Sequence, residues 1–149
     1  RQLSGIALKL SEKLKDYQIY YKLRNEEYKY WKQVFPQNFK PSENLIIIDN
    51  DDYTLDYYIK KCNFVAGIES TVLFESMCQG KTPLFIKDKA GWYKEYEDFY
   101  NSGIGHVVGG SKDIISLLTN DDQITNFNTN DFIMEFDKEK FSEFIHSIS

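Results

Sequence analysis

The run Leu45-Ile46-Ile47-Ile48, closed by Asp49-Asn50-Asp51-Asp52, restricts the fold of this chain more than any other feature. Four apolar residues between polar ones are too few for an ordinary helix and leave neither face of a strand polar. A strand that is apolar on both faces belongs in a parallel sheet covered by helices, because a half-exposed antiparallel strand alternates instead. Phe64-Val65-Ala66-Gly67-Ile68 and Pro83-Leu84-Phe85-Ile86 repeat the signature. Gln18 to Leu23 and Gly105 to Val108 are shorter β-rich runs.

The segments between these strands have helical spacing. Leu3, Ile6, Ala7, Leu10 and Leu14 form one apolar stripe over residues 3–16. Helices are expected over 26–35 behind Asn25, over 53–62, behind Ser70 and Thr71 through 79, over 92–101, over 112–118 behind Ser111, and over 137–148. Gly80 marks a helix stop. Residues 119–131 are rich in Asn and Asp and are expected to form a surface loop. Strands alternating with helices give an α/β domain: a doubly wound, Rossmann-like parallel sheet of about five strands flanked by helices. At 149 residues this is one domain. The start at Arg1 suggests a fragment of a larger protein.

Charge and cysteine content narrow the partners. Eighteen Lys and Arg against 23 Asp and Glu leave a net charge of −5, which argues against a nucleic-acid footprint. No apolar run approaches the ~18 residues of a membrane span. Cys62 and Cys78 belong to no CxxC pair and are expected to be buried thiols in a reducing compartment.

Parallel α/β sheets bind ligands outside the carboxyl ends of their strands. The informative turns are therefore 23–26, 49–54, 68–72, 87–93 and 109–112. At 68–72, Ser70 and Thr71 open a helix, where N–H groups, the helix dipole and the hydroxyls suit a phosphate; the plain alternative is that Ser70 caps the helix. Glu75 lies one turn further on the same face, where it could accept from ribose hydroxyls or stand as a capping or surface charge. Glu69 precedes the pair. Arg24 and Lys87, at two more of these turns, could contact phosphate, with Lys89, Trp92 and Tyr93 beyond Lys87; the plain alternative is solvated loops with one anchoring aromatic. Asp49 to Asp52 could make an acidic metal cluster, although consecutive residues converge poorly on one ion, and capping of the following helix is the simpler role. Gly109-Gly110 gives a flexible turn, and His106 is the one His near a strand end. No Walker loop, GxGxxG, HExxH or nucleophile elbow is present.

The stretch from Tyr57 to Leu84 carries a resemblance. Its order is a helix, the strand Phe64 to Ile68, Glu69-Ser70-Thr71, a helix bearing Glu75, and Gly80-Lys81-Thr82-Pro83. Gln18 to Leu118 thereby resembles the C-terminal, nucleotide-binding half of GT-B glycosyltransferases, in the group of bacterial sialyltransferase-like, capsule-polymerising and CDP-glycerol polymerase enzymes. The resemblance implies that Ser70 and Thr71 contact the donor phosphate and that Glu75 takes the ribose. The family's His-Pro pair after the preceding strand is absent, and Arg24 stands in that place.

The resemblance further implies a glycosyltransferase that moves a sugar or related group from a nucleotide-activated donor in surface polysaccharide synthesis. No metal or other cofactor is expected. The general base and acceptor site would come from an N-terminal domain outside this sequence, so the domain alone would be inactive. The location implied is cytoplasmic, with the full-length enzyme at the inner face of the membrane. Two other classes fit the alternation: half of a nucleotide-sugar epimerase, and a non-catalytic flavodoxin-like or receiver-like module.

Overall fold

The computed structural model describes residues 2–34, 42–68, 70–88 and 105–120. The chain runs α1 (Gln2–Lys13), β1 (Ile19–Lys22), a single 3-10 turn (Asn25–Glu27), α2 (Trp31–Val34), β2 (Leu45–Ile48), α3 (Leu55–Lys61) and β3 (Phe64–Gly67). It continues through α4 (Thr71–Cys78), β4 (Thr82–Ile86), β5 (His106–Val108) and α5 (Ser111–Thr119). The helices expected over 92–101 and 137–148, and nearly all of the loop 119–131, lie outside the described residues.

All strand pairings are parallel, as expected, but they form two ladders. β1 pairs with β2 from Ile19↔Leu45 to Lys22↔Ile48. β3, β4 and β5 form a three-stranded sheet in that order. This corrects the expectation of one doubly wound, five-stranded Rossmann-like sheet: among the described residues no strand pairing joins the two ladders. Side chains join them instead. Ile19 of β1 and Phe64 of β3 both pack against the cluster of Leu10, Leu84, Ile86, Val108 and Ile114.

The two ladders also point the same way. Gln2, at the start of α1, donates from its side-chain amide to the Lys87 carbonyl just past β4 (3.1 Å). At the other end of α1, the Asn44 amide donates to the carbonyls of Leu14 (3.0 Å) and Tyr17 (3.1 Å) just before β2. One helix thus spans from the carboxyl end of one ladder to the amino end of the other, so all carboxyl ends share one side.

The central strand is β4, not the Leu45–Ile48 run. Among the described residues β4 alone is paired on both sides, and Pro83 to Ile86 are all buried. β2 leaves Ile46 40% exposed, because β2 is paired with β1 alone among the described residues. Successive β4 side chains alternate between faces. Leu84 and Ile86 meet α1 and α5 through Leu10, Leu14, Ile114 and Leu117. Phe85 meets Leu73 and Met77 of α4 on the other face. Pro83 is tolerated within this strand because β5 joins one residue later, at Leu84↔His106.

Local signals explain the helix ends. Thr54 caps α3 by accepting from the Tyr57 N–H (3.3 Å), so the acidic residues before it are not the cap. Gly80 ends α4 at φ +70, with its N–H on the Met77 carbonyl and that of Lys81 on the Ser76 carbonyl. Ser111 is the first residue of α5 rather than its cap. The Asp113 carboxylate reaches back to the Gly109 N–H (2.6 Å) and holds the turn. The helix expected over 26–35 is two short turns instead. Its aromatic side chains bond outward: Tyr28 donates to Asp51 (2.9 Å) and the Trp31 indole to Asp49 (2.9 Å). Both cysteines are free thiols, Cys78 exposed and Cys62 half-buried, which corrects the expectation of two buried ones.

Candidate functional site

Because every strand points one way, the β-to-α turns gather at one end of the domain. The β3–α4 turn is one of them. Ser70 is extended (φ −148, ψ 131) and caps α4, its Oγ accepting from the Val72 N–H (3.3 Å). The Leu73 N–H bonds the Ser70 carbonyl (3.1 Å). The capping role therefore holds, and it leaves the Ser70 hydroxyl proton available to a ligand, since a hydroxyl both accepts and donates. Thr71 is exposed at the first helical position. Glu75 is exposed too, one turn beyond Thr71 and clear of the buried face made by Leu73, Ser76 and Met77. Its carboxylate thus keeps its hydration, and no burial cost needs explaining. Glu69 lies outside the described residues.

Lys87 stands two residues past Phe85, which pairs with Gly67 at the end of β3. Lys87 therefore leaves β4 beside the end of β3, from which the chain runs on to α4. Its backbone is fixed, the N–H on the Val108 carbonyl and the carbonyl receiving Gln2, while the residue itself is exposed. Arg24 is exposed just past β1, its backbone N–H bonded to the Glu27 carboxylate (2.9 Å). It belongs to the other ladder. The structure thus groups Ser70, Thr71, Glu75 and Lys87 around adjacent strands and sets Arg24 apart from them in the sheet topology. Lys89, Trp92 and Tyr93 lie outside the described residues.

The acidic turn 49–52 is tied down by side chains. Asp49 holds Trp31, Asp51 holds Tyr28, and the Lys22 ammonium contacts the Tyr28 hydroxyl and lies 3.8 Å from Asp51. The Asn50 side chain accepts from the Asp52 N–H (3.1 Å). Among the described residues no group of three or more His, Cys, Asp or Glu is placed to hold a metal. The strap of residues 24–34 is therefore fastened over the β1 and β2 ends. No local pattern announces these bonds, because Tyr28 and Asp51 are 23 residues apart.

The β5–α5 turn faces α1 across an open groove of about 550 Å³, lined by Gln2, Gly5, Lys9, Gly110, Ser111 and Lys112 among others. His106 starts β5 and so lies at the amino end, away from these turns. Its ring is half-buried, Nε2 has no partner among the described residues, and burial holds its pKa below the ordinary value.

The arrangement can cap an anion at α4 with hydroxyl and backbone donors and place a carboxylate one turn beyond. Among the described residues no helix is long and apolar enough to cross a membrane. Comparison of the chain with protein-family models, with curated proteins and with solved structures finds no match.

Proposed function

We propose that this chain is the donor-binding half of a glycosyltransferase of the GT-B type, which transfers a sugar or related group from a nucleotide-activated donor. The observation that carries the proposal is the pair of half-buried Ser70 and exposed Thr71 at the start of α4, at the carboxyl end of β3, with Glu75 one turn beyond. Helix N-termini at this place in parallel α/β domains bind phosphates through N–H groups and dipole.

In this reading the Ser70 hydroxyl keeps its capping bond and donates its proton to a donor phosphate oxygen. Thr71 adds a second hydroxyl, and Lys87 lowers the potential around the leaving phosphate. Glu75 accepts from the ribose hydroxyls. Donors fixed before the reaction stabilise negative charge as it develops on the leaving nucleotide, without a metal. Acceptor activation belongs to a second domain, and the isolated chain binds nucleotide without turnover.

Calorimetric titration with CMP, CDP, UDP and GDP tests this. At least one nucleotide is expected to bind, and the double variant Ser70→Ala/Thr71→Ala to weaken it about tenfold or more, as two charge-assisted bonds are lost. Absence of binding by all four, or binding untouched by the double variant, rejects the proposal.

A further inference from the structure

A stripe of side chains along α3 has no part in the site above. Tyr57 and Lys61 lie one turn apart on one face of α3, and Tyr53 precedes the Thr54 cap. The Tyr53 and Tyr57 rings stack with centroids 4.3 Å apart and planes 14° from parallel. Tyr58 stands edge-on to both, at 5.2 Å from Tyr57 and 6.2 Å from Tyr53, and is backed by Tyr20 at 5.7 Å. Tyr53 is 53% exposed, yet this cluster holds its ring in place. One face of that ring lies on Tyr57, and the other meets no further ring among the described residues.

The cluster is electron-rich. Aromatic faces carry the negative part of the ring quadrupole. The Lys61 ammonium already sits over Tyr57, 4.6 Å from the centroid. Its hydrogen bond to Tyr57, and then the tyrosine charges around it, hold it protonated above the ordinary lysine range. Tyr58 resists ionisation, through burial first and then through Tyr57, Tyr53 and Asp52. Asp52 is exposed, adjoins Tyr53 and makes no ion pair with a described residue. The Asp51 side chain is 68% exposed on the same loop. A positive charge is thus favoured at the inner end of the stack, where the chain supplies Lys61, and at the outer end, where no described residue supplies one.

We propose that the outer face of Tyr53, with the carboxylate of its sequence neighbour Asp52, seats an arginine guanidinium presented by a partner polypeptide. A guanidinium is planar, so it stacks on the ring while its N–H groups turn to the carboxylate. A lysine ammonium satisfies the carboxylate without stacking, and a neutral saccharide draws nothing from the charge.

The test titrates this chain with N-acetyl-arginine amide and, separately, with N-acetyl-citrulline amide, which has similar shape and no charge. Aromatic NMR signals of the tyrosine cluster report binding. Arginine is expected to shift them saturably at millimolar concentration, more weakly as salt rises. Tyr53→Phe is expected to bind as the parent does. Tyr53→Leu and Asp52→Asn are each expected to bind about two- to fivefold more weakly, the size of an exposed cation–π or ion-pair contact. Asp52→Asn leaves the ring stack intact, so the test stands even if Tyr53→Leu misfolds. Equal shifts from citrulline, unchanged binding in Asp52→Asn, or a stronger response to maltotriose than to arginine overturns the proposal.

Discussion

Gly105 is the place where the last strand approaches the central one most closely. It takes φ +63, a conformation that costs a side-chain-bearing residue about 1–2 kcal/mol. A Cβ there would stand 2.3 Å from the Pro83 carbonyl oxygen and 2.6 Å from Pro83 Cγ. The carbonyl belongs to a buried strand paired on both sides, so β5 must yield rather than β4. Forcing atoms into a packed site adds about 1–3 kcal/mol. Gly105→Ala is therefore expected to cost about 2–5 kcal/mol, a large part of the 5–15 kcal/mol of a typical domain. Gly80→Ala is the matched control, since its φ is +70 with nothing within 4 Å of the added Cβ. It is expected to lose the conformational 1–2 kcal/mol alone. Urea unfolding followed by circular dichroism measures both. With a slope of about 1–3 kcal/mol/M, the Gly105 variant should melt at a clearly lower midpoint than the Gly80 variant. Equal midpoints for the two would refute the close approach of β5 to β4.

Further outcomes follow from single contacts. Ser70→Ala removes the α4 cap and is expected to lower stability by about 1 kcal/mol in urea unfolding, whatever its effect on ligands. Leu84→Ala, in the central strand at 2% exposure, is expected to cost about 2–5 kcal/mol in the same experiment. His106 has its pKa depressed by burial, so the unfolded chain binds its proton more readily than the folded one. Its contribution is present above the ordinary value of 6.5 and is lost as pH falls through the folded pKa; the wild-type urea midpoint should drop between pH 7.5 and 5.5 more than that of His106→Asn. Cys78 is exposed, whereas burial raises the pKa of Cys62, so a thiol reagent followed by mass spectrometry should label Cys78 first.

Much of the element order is legible in the sequence because its signals are local. The apolar stripe of α1, the Ser70 start of α4 and the Gly80 stop each act within a turn or two of chain. The parallel direction of the strands follows equally, since each crossover carries a helix or a long connection. What is not legible depends on distant partners. Leu45–Ile48 is more uniformly apolar than Thr82–Ile86, yet β4 takes the centre, because centrality depends on which strands pair and not on hydropathy. The break of 24–34 into two turns depends on Asp49 and Asp51, residues that no window around Trp31 contains. The sheet divides in two for a similar reason: alternation gives the number of strands and says nothing of ladder bonds between β1 and β3. At the site, position and capping of Ser70 are readable. The exposure of Glu75 is not, because an apolar helix in one dimension does not show which side it leaves bare.

The central claim is that the start of α4 holds the phosphate of a nucleotide. Backbone amide NMR of the chain during titration with CMP, CDP, UDP and GDP tests it residue by residue. The account predicts that one nucleotide shifts the Thr71, Val72 and Leu73 amides most strongly, and that Ser70→Ala/Thr71→Ala abolishes those shifts. Shifts centred on Gly109 to Lys112 beside α1, or none anywhere at millimolar nucleotide, would contradict it.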